Sequence, residues 1–156
     1  IRRARQFSQK RLLLGAGTVL NMDDLKQALD SGATFIVMPV LIKDVLVYCV
    51  KNKIPAFHGA LTPQEIHQAW QEGATMVKVF PAKCFGPEYF REIKGPFNEI
   101  ELLACAGVTP QNMRDYFACG ASAVAFGASV FKKEWLQNKD YPSITSAIKA
   151  YLQQLP

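Results

Sequence analysis

No apolar run in this chain approaches the ~18 residues that would suggest a membrane span. Nor does a long apolar stretch follow Ile1-Arg2-Arg3-Ala4-Arg5-Gln6, so nothing there reads as a signal peptide. The four cysteines (Cys49, Cys84, Cys105 and Cys119) are dispersed. They make no Cys-x-x-Cys pair and no Cys/His set at zinc spacing, so no metal is expected. Reduced thiols in a cytoplasmic protein are the simplest reading. Basic and aromatic residues are not interleaved in a stripe, and no reader motif is present, which argues against a nucleic-acid partner.

What remains is a chain of 156 residues, 49% hydrophobic, enough for one domain over 1–156 with a sizeable core. Eighteen basic against thirteen acidic residues leave a net charge of +5. Part of the excess sits in Arg2, Arg3, Arg5, Lys10 and Arg11, a cluster that reads as the solvated face of a terminal helix. A modest positive balance also suits an anionic small substrate.

Strand and helix signals alternate along the chain. Leu12-Leu13-Leu14-Gly15-Ala16-Gly17 reads as a strand entering a turn. Asn21 can cap a helix over 22–31 that Gly32 ends. A β-rich run at 34–38 precedes a helix over 42–52, with Ile42, Val45, Leu46 and Cys49 on one face. A short strand follows at 54–58. Thr62, Pro63 and Glu65 spell a capped helix start, and Gly73 its end. Further strands are predicted at 75–80, 100–105 and 122–126. The helices between and after them fall at 87–93, at 110–119 (capped by Thr109-Pro110 and stopped by Gly120) and at 141–155. Residues 1–10 read as the tail of a helix.

This is an α/β pattern of six strand–helix units, each ~20–25 residues long, as parallel sheets with short loops require. A doubly wound sheet could use six strands. A (β/α)8 TIM barrel needs eight and typically ~250 residues, ~200 at the short end. With the abrupt start at a helix tail, the expectation is a barrel lacking two N-terminal units.

One residue breaks the pattern. Ala74-Thr75-Met76-Val77-Lys78-Val79-Phe80-Pro81 is a buried-strand run with a lysine inside it. Aligned on Gly32, Gly73 and Gly120, the position of Lys78 holds Val37 and Ala125 elsewhere. Burying an unpaired charge is expensive. A lysine deprived of water has a lowered pKa, and a neutral amine is a nucleophile. The bland reading is a lysine snorkelling at a strand end.

In order and spacing, several motifs resemble the 2-keto-3-deoxy-6-phosphogluconate (KDPG) and 4-hydroxy-2-oxoglutarate aldolases, class I Schiff-base (β/α)8 enzymes. They are Gly15-Ala16-Gly17-Thr18-Val19-Leu20, Phe35-Ile36-Val37-Met38-Pro39, Val77-Lys78-Val79-Phe80-Pro81-Ala82, Gly107-Val108-Thr109-Pro110-Gln111-Asn112 and Gly127-Ala128-Ser129. The resemblance covers about Leu14 to Tyr151. It implies that Lys78 is the imine-forming nucleophile and that no cofactor is needed. The implied substrate is a 2-keto acid, phosphorylated in the family's main reaction, and the implied assembly is a homotrimer.

By the same resemblance Thr18 helps hold the substrate carboxylate, while Pro39 and Phe80 wall the pyruvyl unit. Cys105, Gly107, Gly127 and Ser129 fall at the phosphate end, where Cys105 replaces a threonine and Ala106 and Ala128 replace glycines. Alternatively, Thr18 caps a turn and Pro39 and Phe80 only pack. His58 is a candidate acid/base group, or else a turn residue bonding local backbone. Lys83, Lys94, Lys132 and Lys133 read as solvated. The family's acid/base glutamate and a carboxylate-binding arginine would fall before Ile1. Two rival functions are a non-catalytic sugar-phosphate-binding barrel and a different phosphate-barrel synthase or decarboxylase that uses Lys78 as a charge.

Overall fold

The structure is a computed structural model that describes residues 1–8 and 12–156. Lys10, Arg11 and the end of the expected N-terminal helix tail lie outside or at the edge of the described residues. The chain falls into two compact units, residues 1–80 and 81–156.

The first unit opens with α1 (Arg2–Ser8) and β1 (Ala16–Gly17), followed by α2 (Met22–Asp30). The Asn21 side chain accepts from the Asp24 N–H at 2.8 Å, and Gly32 (φ 91°) turns the chain into β2 (Ile36–Val37). Then come α3 (Lys43–Lys51), β3 (Ala56–Ala60), α4 (Pro63–Gln71) and β4 (Met76–Val79). At the start of α4 the expected capping box is complete. Thr62 Oγ1 accepts from the Glu65 N–H, and the Glu65 carboxylate accepts from the Thr62 and Leu61 N–H groups.

The four strands are parallel and neighbour one another in chain order. A doubly wound sheet would reverse that order at a switch point; here there is none. One face is carried by Ile36, Met38, Ala56, His58, Ala60, Val77 and Val79, all buried, and α3 and α4 pack against the sheet. The register sets Val37 beside Phe57 and Gly59 beside Lys78, so these residues share the opposite face. That face is only partly covered, with Phe35, Val37, Phe57 and Met76 half-buried.

The first strand is shorter than its sequence suggests. Leu14 accepts from the Thr34 N–H at 2.8 Å, but Leu12 and Leu13 are exposed, 66% and 80%. An apolar run becomes strand only where a neighbouring strand offers partners, and these two residues have none among those described.

The second unit begins with a 3-10 helix (Ala82–Cys84) and α5 (Glu88–Lys94). It continues with β5 (Leu102–Cys105), α6 (Met113–Ala118), β6 (Ala123–Ala125), α7 (Lys133–Gln137) and α8 (Tyr141–Leu152). β5 and β6 pair in parallel, with Cys105 beside Ala125. Thr109 and Asn112 exchange side-chain-to-backbone hydrogen bonds in a turn, but the helix expected from 110 starts only at Met113, with Asn112 as its N-cap and no side-chain cap bond. Helix α7 was not predicted. It is short, and its N-cap residue, Lys132, makes no side-chain cap.

Candidate active site

Lys78 lies in the middle of β4 and is buried, 8% exposed. Its ammonium nitrogen sits 4.7 Å from the centroid of the Phe80 ring, two residues on along the same face. Phe80 itself is 37% exposed, so the lysine head sits beneath a ring that borders solvent. Among the described residues Lys78 makes no ion pair. Its strand neighbour Gly59 has no side chain to crowd it. A Cβ on Gly59 would collide with the Pro39 carbonyl, so the segment just after β2 passes directly against β3.

A cavity of about 110 Å³ collects Pro39, Gly59, Ala60, Glu65 and Phe80. Pro39 and Phe80 share this cavity, and Lys78 is not among the residues that line it. Glu65 is the one carboxylate among its lining residues. The Thr62 and Leu61 backbone N–H groups hold its pKa below the usual carboxylate value, so it is a cap and not a proton donor near neutrality.

Thr18 lines a different cavity in the first unit, of about 310 Å³, with Asp24, Gln27 and Ser31. Its φ is 62°, the left-handed region, which a β-branched residue seldom adopts. Strain of this kind gathers at functional sites.

His58 needs a correction. It pairs in register with Val77, on the helix-covered face, while Lys78 pairs with Gly59 on the other. The alternation of a strand therefore turns its imidazole away from Lys78. It is fully buried, and its Nδ1 has no hydrogen-bond partner among the described residues. Burial pushes its pKa down, opposed by the nearby Glu72 carboxylate. It is neither the acid/base group for this lysine nor a turn residue.

In the second unit, Cys105, Gly107, Gly127 and Ser129 meet in one cavity of about 530 Å³ formed by the segments after β5 and β6. Ala106 stands at φ 70° and Gly107 at φ 94°. Ser129 Oγ lies 2.7 Å from the Tyr151 hydroxyl, which donates to the Val108 carbonyl at 2.9 Å. Tyr151 also stacks on Phe126, ring centroids 4.0 Å apart. Helix α8 therefore ties both cavity segments together. Lys83 is exposed, as read from sequence, and lines this cavity too. Cys49 and Cys119 are buried; burial pushes the Cys49 thiol to about 11 and raises that of Cys119, so neither is a reactive thiolate. No helix among the described residues is long and apolar enough to cross a membrane.

Such a chain, parallel β/α units with a lysine buried in mid-strand, has clear relatives. The family model for KDPG and KHG aldolase matches residues 1–147, and the chain belongs to that aldolase family. It is 31% identical to the KHG/KDPG aldolase of Escherichia coli (strain K12) over 134 residues, 85% of this chain and 63% of the relative. It is 28% identical to that organism's 2-dehydro-3-deoxy-6-phosphogalactonate aldolase over 140 residues, 89% of this chain and 68% of the relative. The chain thus spans about two thirds of the length of these curated relatives. A solved structure described as native KDPGal superposes with a TM-score of 0.86 at 26% identity, covering 99% of this chain and 75% of the other. The fold is that of the TIM-barrel aldolases, represented here by six of its strand–helix units.

Proposed function

We propose that this chain carries the Schiff-base chemistry of a class I aldolase acting on a 2-keto acid of the KDPG or 4-hydroxy-2-oxoglutarate type. The observation that carries the reading is Lys78, buried in a β-strand on the face opposite the helices and unpaired among the described residues. Its amine adds to the C2 ketone, and loss of water gives an iminium. The iminium accepts the electron pair of the C3–C4 bond as the C4 hydroxyl loses its proton. An aldehyde departs, glyceraldehyde 3-phosphate or glyoxylate. The enamine left behind is protonated at C3, and water releases pyruvate and the lysine. Phe80 and Pro39 supply the apolar wall, and Thr18 a hydroxyl for the carboxylate. The second unit's cavity, through Cys105, Gly107, Gly127 and Ser129, is read as the seat of the phosphate. Proton transfer falls to a group other than His58 and Glu65. Assembly as a cytoplasmic homotrimer belongs to the same reading, and sedimentation of the chain tests the trimer.

The direct test is borohydride reduction in the presence of pyruvate, followed by mass spectrometry of the Lys78 peptide. A stable adduct on Lys78 supports the reading; folded protein with no adduct overturns it. A barrel that only binds sugar phosphates, or one that uses Lys78 as a charge, would give no adduct.

A further inference from the structure

We propose that Lys83 is the specificity-determining charge of the second unit's cavity, the residue through which it selects a phosphorylated ligand. The inference rests on reading that cavity as the phosphate seat. Its basis is the state of the other polar groups. Among the residues lining the cavity Lys83 alone carries a charge, and there is no carboxylate. The Ser129 hydroxyl is already committed. Tyr151 gives its single proton to the Val108 carbonyl, so the 2.7 Å contact requires Ser129 to donate to Tyr151. Ser129 then has no proton left for a phosphate oxygen. The Thr109 N–H is taken by Asn112 Oδ1; the Thr109 hydroxyl accepts from the Asn112 N–H and keeps its own proton, a neutral donor beside the one charge.

Lys83 is also held in place. Its N–H donates to the Ala106 carbonyl at 3.0 Å, fastening the 3-10 helix to the segment after β5. Its stem crosses Gly107, where any Cβ would collide with the Lys83 Cβ. Glycine at that position thus lets the lysine lie against the cavity wall. Among the described residues Lys83 makes no ion pair that would compete with a ligand. Lys83 is exposed, so its ammonium group is free to meet a ligand at the cavity as a point charge for phosphate, while nearby backbone N–H groups give direction.

The test is titration of the chain with inorganic phosphate, followed by the amide NMR shifts of residues 106–109 and 127–129. Lys83→Met should weaken binding about tenfold or more, the worth of one charged hydrogen bond. Lys83→Arg should keep most of it. Lys51→Met, which removes an equal charge from the exposed surface of α3, should stay within about twofold of wild type, below the ~0.5 kcal/mol typical of surface changes. Wild-type protein that does not bind phosphate at these amides overturns the proposal. So does Lys83→Met binding as wild type, or Lys51→Met losing as much as Lys83→Met. Borohydride trapping of pyruvate by Lys83→Met is run alongside and should be unchanged. A failed phosphate result with an intact Lys78 adduct then counts against Lys83 alone, not against the aldolase reading.

Discussion

Each of the two units places a non-glycine residue in the left-handed region just beyond a strand, Thr18 (φ 62°) after β1 and Ala106 (φ 70°) after β5. The resemblance ends there. In the first unit the strained residue carries a hydroxyl of its own, and the unit's other chemistry, the Lys78 amine beside the Phe80 ring, also belongs to side chains. In the second, Ala106 and its cavity neighbours Gly107, Gly127 and Ala128 offer little beyond their backbone, and the charge comes from Lys83 on another segment. A strained threonine aims a functional group; a strained alanine can only aim an N–H. On the proposed function, the two units would use the same backbone device for different kinds of recognition, covalent on one side and electrostatic on the other.

The largest expected effect breaks the comparison outright. Lys78→Met should abolish the borohydride-trapped pyruvate adduct and leave phosphate-induced shifts in the second unit unchanged. Loss of both on one substitution would mean that the two kinds of recognition are not separable. Next is Gly59→Ala. Its methyl group would run into the Pro39 carbonyl, a backbone atom that cannot swing aside. Overpacking of this kind costs about 1–3 kcal/mol. Denaturant unfolding should show it, with slower pyruvate trapping because Lys78 is the strand neighbour of Gly59.

His58 gives a smaller, pH-dependent effect on the first unit. Its ordinary pKa is 6.5, and burial lowers it in the fold. Above about pH 6.5 both folded and unfolded chains hold it neutral. As the pH falls below that value the unfolded chain takes up a proton that the folded one refuses, so stability declines until the lowered folded pKa is reached. His58→Leu should flatten the decline between pH 7 and 5 in thermal unfolding. An unchanged slope would assign the acid sensitivity elsewhere.

How much of this was legible from residues alone follows the same division. The caps at Asn21 and Thr62 could be read because they are local bonds between a side chain and a nearby N–H. Lys78 could be read because a charge stands out in an apolar register. The β/α alternation was equally visible, and with it the fold class. The face on which His58 lies was not, since one residue of strand register decides it. Nor was the role of Lys83, which depends on a 3-10 helix settling against a glycine far along the chain. Leu12 and Leu13 look like strand, but pairing partners decide that, and composition does not report them. The short α7 has no side-chain cap to announce it, only Lys132 resting 4.3 Å from the centroid of the Trp135 ring.

The smallest effect sharpens the comparison most. A non-glycine residue in the left-handed region costs about 1–2 kcal/mol, which glycine avoids at some cost in unfolded-chain entropy. Ala106→Gly and Thr18→Gly should therefore each stabilise the chain by up to ~1 kcal/mol, read from denaturant midpoints at constant slope. Their functional consequences should diverge. Ala106→Gly keeps its N–H and loses only a methyl group, so phosphate affinity should hold or rise. Thr18→Gly removes the hydroxyl that the strain presents, so pyruvate trapping should need a higher keto-acid concentration. If both substitutions gain stability without functional loss, Thr18 is only a turn residue and the strain in the first unit serves no chemistry. If only Thr18→Gly trades stability for keto-acid capture, the side chain in one unit and the backbone in the other are what the strained positions present.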